Sequence, residues 1–159
     1  MPGAARSELL PDFKLPATRR ASLGPWDFKQ RQNLVVLFHH GLGCEGCRAM
    51  LAEWAGRYPE LREQEAEVLA LSPDPVEELA RAAEEGQVPF PLLSDRGGAV
   101  LARYLPEGAG LLPAAFVADR YGAVSEVYVA EGHDLNLNEI ISELVFIRTR
   151  CPECHAEDV

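Results

Sequence analysis

Positions 34 to 38 read Leu34-Val35-Val36-Leu37-Phe38, an apolar run with no polar interruption, and its length and β-branched content predict a buried strand. A short turn follows, His39-His40-Gly41-Leu42-Gly43. From 44 to 64, Met50, Leu51, Trp54, Tyr58 and Leu61 recur at three-to-four spacing, which predicts a helix starting at Cys44. Val68-Leu69-Ala70-Leu71-Ser72 predicts a second buried strand. Pro75 then opens a helix over 76–85, at the position where a missing N–H costs least. Pro91-Leu92-Leu93-Ser94-Asp95 leads into a short helix over 98–104. Strands are predicted at 114–118 and 124–129, joined by a hairpin turn at Tyr121-Gly122. Ile140, Ile141, Leu144, Val145 and Ile147 give a last helix, 137–148, a broad apolar face. Strands alternating with helices predict an α/β sandwich in one domain, residues 1–149, followed by a tail, 150–159.

Composition narrows the function. The chain has 159 residues, 47% hydrophobic, enough for one sizeable core. Fifteen basic residues against twenty-five acidic ones leave a formal charge of -10, which repels phosphate backbones and anionic lipid surfaces. The expectation is no nucleic-acid or membrane partner. The N-terminal segment is polar and broken by prolines, with no apolar stretch of signal or membrane-spanning length, so the expected location is cytoplasmic.

Four cysteines fall in two tight pairs, a spacing that points to redox chemistry or metal rather than to a disulfide framework. Cys44-Glu45-Gly46-Cys47 sits where the helix begins. There, unpaired amides and the positive end of the helix dipole favour a thiolate. Two intervening residues let the sulfurs meet across one turn, so a disulfide can form and break with little backbone movement. Gly43 and Gly46 leave the sulfurs unshielded. Glu45 opposes thiolate formation, whereas Arg48 and a protonated His39 or His40 favour it, so the net shift has no sign from sequence alone.

Cys151-Pro152-Glu153-Cys154-His155 matches several chemistries. It has the spacing of a haem-attachment run, against which the cytoplasmic reading stands. It resembles half a zinc site, with Cys151, Cys154 and His155 as ligands and the rest supplied by a second subunit or by Cys44 and Cys47. It could also shuttle electrons to the first pair, or be an exposed tail with incidental cysteines. Trp26 and Trp54 read as packing residues, and Glu77-Glu78 and Glu84-Glu85 as solvated helix faces.

From Pro11-Asp12-Phe13-Lys14-Leu15-Pro16 through Leu71-Ser72-Pro73-Asp74, Pro89-Phe90-Pro91-Leu92-Leu93-Ser94-Asp95 and Pro113-Ala114-Ala115-Phe116-Val117, the chain resembles the peroxiredoxin-like (AhpC/TSA, redoxin) proteins of the thioredoxin-fold superfamily. The resemblance covers about 11–142 and implies a three-layer α/β/α sandwich around a mixed sheet. It also implies a thiol-dependent oxidoreductase with no cofactor, acting on thiol or disulfide proteins, small thiols or hydroperoxides, with a homodimer as a possible assembly.

The family's Pro-x-x-x-Thr-x-x-Cys loop, laid after Phe38, puts His40 at the proline, Cys44 at the threonine and Cys47 at the peroxide-attacking cysteine. A thioredoxin register instead makes Cys44 the nucleophile, with Pro113 in the place of the cis-proline beside the dithiol. The expected function is thiol–disulfide exchange through Cys44 and Cys47, with Pro113, Gly43 and His40 at the substrate. The alternatives are a hydroperoxide reductase, Cys47 attacking and Cys44 resolving, and a non-catalytic zinc-linked interaction domain.

Overall fold

A computed structural model describes residues 8–106, 112–130 and 135–150. The central sheet has five strands: β3 (Asn33–Phe38), β4 (Ala66–Ser72), β5 (Leu92–Ser94), β6 (Ala114–Ala118) and β7 (Val124–Val129). Their spatial order is β5-β4-β3-β6-β7. β3, β4 and β5 run parallel, while β6 is antiparallel to both β3 and β7, so the sheet is mixed. A minor sheet pairs β1 (Leu15–Pro16) with β2 (Ser22–Leu23). Two-residue strands carry too short a period to be seen in the sequence.

Every residue of β3 is buried, as its uninterrupted apolar run predicts for a central strand covered on both faces. One face carries α1 (Glu45–Gly56), α3 (Val76–Gly86) and α5 (Leu137–Arg150) over Val35, Leu37, Val68 and Val117. The other carries α4 (Ala99–Tyr104) and the N-terminal segment, with Phe13, Phe38, Tyr104 and Phe116 packed edge to face. The result is a three-layer α/β/α sandwich. Met50 and Leu51 of α1, buried against the sheet, each contribute on the order of 2 kcal/mol through removal from water.

The helix predicted over 44–64 is two helices. α1 stops at Gly56, and α2 (Tyr58–Glu63) starts again after Arg57, whose ψ of 11° departs from the helical range. Pro59 explains the break. It has no N–H to give the carbonyl four residues back, and its ring would strike that carbonyl. The apolar spacing survives the break, so periodicity alone reads through it. Trp54 is fully buried under α1, whereas Trp26, in a one-turn 3-10 helix (Pro25–Phe28), is 62% exposed.

The 119–122 turn joins β6 to β7. The Asp119 carboxylate accepts from the amides of Tyr121 and Ala123, and Gly122 takes a φ of 88°, where a Cβ would be strained.

Candidate active site

The site forms where β3 ends and α1 begins. Cys44 is the N-cap of α1. Its backbone is extended, and its Sγ accepts the amide of Cys47 at 3.3 Å, filling the role that a Ser or Asp oxygen has in most helices. Cys47 lies one turn in and is 3% exposed, between α1 and the sheet, while Cys44 is half-buried. Both are free thiols. A Cβ on Gly43 would meet nothing within 4 Å, so the approach to Cys44 is open.

These positions give the two sulfurs opposite electrostatics. The Cys44 pKa is lowered, first by the hydrogen bond from the Cys47 thiol, then by the Cys47 amide, with lesser help from the Gly46 amide and the Arg48 charge against a desolvation penalty. The pKa of Cys47 is pushed up to about 11, first by burial and then by its bond to Cys44, with its thiol bonded to a sulfur that holds the negative charge. Two backbone groups work the other way: the His40 amide donates to Cys47 Sγ at 3.3 Å, and the Gly41 amide also favours the thiolate. The sign that sequence leaves open is therefore set by the partner cysteine more than by Arg48, whose guanidinium is engaged with the Leu42 carbonyl.

His39 is buried and His40 exposed. His39 Nδ1 accepts the Gly41 amide at 3.1 Å, which places the ring proton on Nε2, and Nε2 has no hydrogen-bond partner among the described residues. Burial lowers the His39 pKa to about 4, so near neutral pH it is an uncharged ring and not the cationic helper of a thiolate. His40 reaches Cys47 through its backbone.

Pro113 is buried at the start of β6, behind a cis Leu112–Pro113 peptide. Since Ala114 pairs with Phe38, Pro113 lies one step beyond the end of β3, beside the dithiol loop. Leu112, His39 and His40 share the wall of a cavity of about 150 Å³ with Phe38, Leu71 and Leu101.

The second cysteine pair and His155 lie outside the described residues. α5 runs away from the dithiol: Tyr128 Oη donates to the Glu139 carbonyl near its start, Ser125 to Glu143 midway, and Arg148 to the Glu63 carbonyl near its end, where β3 begins. Among the described residues there is no group of three or more His, Cys, Asp or Glu placed to hold a metal ion.

A family model of the AhpC/TSA proteins matches residues 7–127. The chain belongs to the AhpC/TSA family. It is 30% identical over 97 residues to peroxiredoxin Bcp of Escherichia coli strain K12, an alignment covering 61% of this chain and 62% of that protein. The chain thus spans a little under two thirds of the curated relatives it matches. The crystal structure of peroxidoxin BcpB from Mycobacterium tuberculosis superposes with a TM-score of 0.81 at 25% identity, covering 92% of this chain and 99% of that one. The reduced 2-Cys peroxiredoxin of Plasmodium vivax shares the fold, with a TM-score of 0.79 at 18% identity over 90% of this chain and 81% of that chain. AhpC/TSA membership accounts for the mixed sheet.

Sequence reasoning passes over Asp74. Its carboxylate accepts the Leu42 amide at 2.9 Å from 32 residues away. The Leu71-Ser72-Pro73-Asp74 run was visible, but nothing in one sequence says that it folds against the cysteine loop.

Proposed function

We propose that the chain is a thiol–disulfide oxidoreductase that cycles a Cys44–Cys47 disulfide, with Cys44 as the attacking sulfur. The observation that carries this is the contrast within the pair: Cys44 is accessible and acidified, while Cys47 is occluded and held protonated. Cys44 thiolate attacks a partner disulfide, forming a mixed disulfide and releasing one partner thiolate. Cys47 then loses its proton to water and attacks Cys44 Sγ, releasing the second thiolate. Two electrons pass to the partner, and the enzyme is left oxidised.

The second step prepares itself. Two of the three influences that raise the Cys47 pKa come from the Cys44 thiolate, and the mixed disulfide removes that charge. The amides of His40 and Gly41 then face less opposition. Protein disulfides and small disulfides are the substrates this suits, with Pro113, Gly43 and His40 at the rim where a partner backbone would rest. The thiol pool of a cytoplasmic setting would return the pair to the dithiol.

A second reading has support of its own. Family membership and the His40 amide on Cys47 Sγ favour a hydroperoxide reductase in which Cys47 thiolate takes one peroxide oxygen, leaving an alcohol, and Cys44 condenses with the sulfenic acid to release water. Both cycles end in the same disulfide. Insulin-disulfide reduction driven by dithiothreitol and single-turnover hydroperoxide consumption, each measured on Cys44→Ser and Cys47→Ser, separate them. Exchange predicts that Cys44→Ser is inactive on insulin and that Cys47→Ser stalls as a mixed disulfide. Peroxide consumption by Cys44→Ser but not by Cys47→Ser would overturn it.

A further inference from the structure

Asp74 stands behind the dithiol loop on the turn between β4 and α3, where the redox chemistry gives it no task. Its Oδ2 accepts the Leu42 amide at 2.9 Å and the Ser72 hydroxyl at 2.8 Å. Its own carbonyl is held by the Ser94 hydroxyl at 2.6 Å, and Ser72 and Ser94 are buried register partners on β4 and β5. The carboxylate is therefore fixed from the sheet before it touches the loop. It also leaves no room at Gly41, where a Cβ would come 3.0 Å from Oδ2 and where φ is +121°.

The loop it grips is two-sided. On the sheet side, the Leu42 amide goes to Asp74. On the helix side, the His40 amide goes to Cys47 Sγ at 3.3 Å, and the Gly41 carbonyl accepts the Cys44 amide at 3.1 Å. Consecutive residues thus tie one rigid carboxylate to both cysteines. The largest influences on either thiol do not include the Asp74 charge, so its reach to the sulfurs is mechanical and passes through the loop.

We propose that Asp74 is a positioning residue for the second half of the cycle: by clamping Leu42 it holds the His40 amide on Cys47 Sγ, and so sets how fast Cys47 resolves the mixed disulfide on Cys44. This rests on the exchange reading. Losing the clamp weakens that donor to Cys47 and leaves Cys44, whose main influences are Cys47 and the helix amides, nearly as it was.

The test uses the aromatic disulfide DTNB with the full chain in a Cys151→Ser/Cys154→Ser background. Attack by Cys44 releases a first TNB thiolate, and resolution by Cys47 releases a second. Should Asp74→Ala raise the Cys47 pKa by one unit, thiolate falls about tenfold and higher intrinsic nucleophilicity returns about threefold, so the second phase slows about three- to tenfold while the first is essentially unchanged. Asp74→Asn keeps an oxygen for the Leu42 amide and recovers most of the rate. Ser72→Ala, which removes the sheet-side bond to the same carboxylate oxygen, slows the second phase in the same direction but less than Asp74→Ala, and leaves the first phase unchanged.

A second phase in Asp74→Ala as fast as the parent's, equal slowing of both phases, or Asp74→Asn as slow as Asp74→Ala would each overturn the proposal. A parent that releases a single TNB would overturn the exchange reading itself, whatever the variants do.

Discussion

The first turn of α1 has an outer rim and an inner floor, and they treat the same side chain in opposite ways. At the rim, Cys44 caps the helix, meets solvent and collects hydrogen bonds that favour its charge. On the floor, Cys47 is sealed under the loop and is pushed up to about 11 by burial first. Two residues of chain separate them. Residue type and helix dipole are shared, so the difference comes from burial and from which sulfur holds the proton between them. A Cys-x-x-Cys pair is thus a ranked pair, and the ranking is written by what lies over the second cysteine.

Selective alkylation of the dithiol near neutral pH reads the ranking of the two sulfurs directly. A Cys44 pKa below 9.0 and a Cys47 pKa of about 11 imply at least about a hundredfold difference in thiolate. Intrinsic nucleophilicity favours Cys47 by about tenfold, and its 3% exposure more than cancels that. Iodoacetamide followed by peptide mass spectrometry should therefore find the label at Cys44 at least about a hundred times more often. Comparable labelling of the two would erase the distinction.

The floor should also be the acid-sensitive part. His39 is held neutral, with a folded pKa of about 4 against an ordinary 6.5. Its contribution is fully present above about pH 6.5 and is lost as pH falls toward 4, where the unfolded chain binds the proton first. The decline is up to about 3 kcal/mol. Urea unfolding at stepped pH should show a shallower acid decline in His39→Gln than in the parent. Equal slopes would place the acid sensitivity elsewhere.

At the rim, Arg48 is the smallest influence on Cys44 that the structure shows, and its guanidinium is exposed and engaged with the Leu42 carbonyl. Arg48→Ala should raise the Cys44 pKa only slightly, and by less at physiological ionic strength than at low salt. Thiolate absorbance titration checks this. A full-unit rise would make the rim depend on charge rather than on sulfur and amide hydrogen bonds.

The sequence made much of this legible. The apolar run at Leu34 to Phe38 locates the central strand, and the dithiol falls at the helix start as its spacing indicates. Local patterns carry local structure. The split at Arg57 was legible in Pro59, but the apolar spacing of Trp54, Tyr58 and Leu61 runs through it. What stayed hidden depends on distant partners. Asp74 meets Leu42 across 32 residues, and the Cys47 environment depends on a loop held from β4. No residue types near the motif predict that the chain will return there. The peroxiredoxin and thioredoxin registers disagree on the nucleophile because burial, which separates the two sulfurs, is a property of the fold.

In the proposed cycle the Cys44 sulfur is the attacking atom, and it is also the acceptor that closes the first turn of α1. Once it joins a disulfide it is a neutral divalent sulfur and a poorer acceptor, and the Cys47 amide loses the partner it had in the dithiol. A lost helix cap of this kind is worth about 1 kcal/mol. Each turnover therefore writes the oxidation state into the backbone. Amide exchange at Cys47 would report it, and a reductant could sort spent molecules from fresh ones by the firmness of one helical turn.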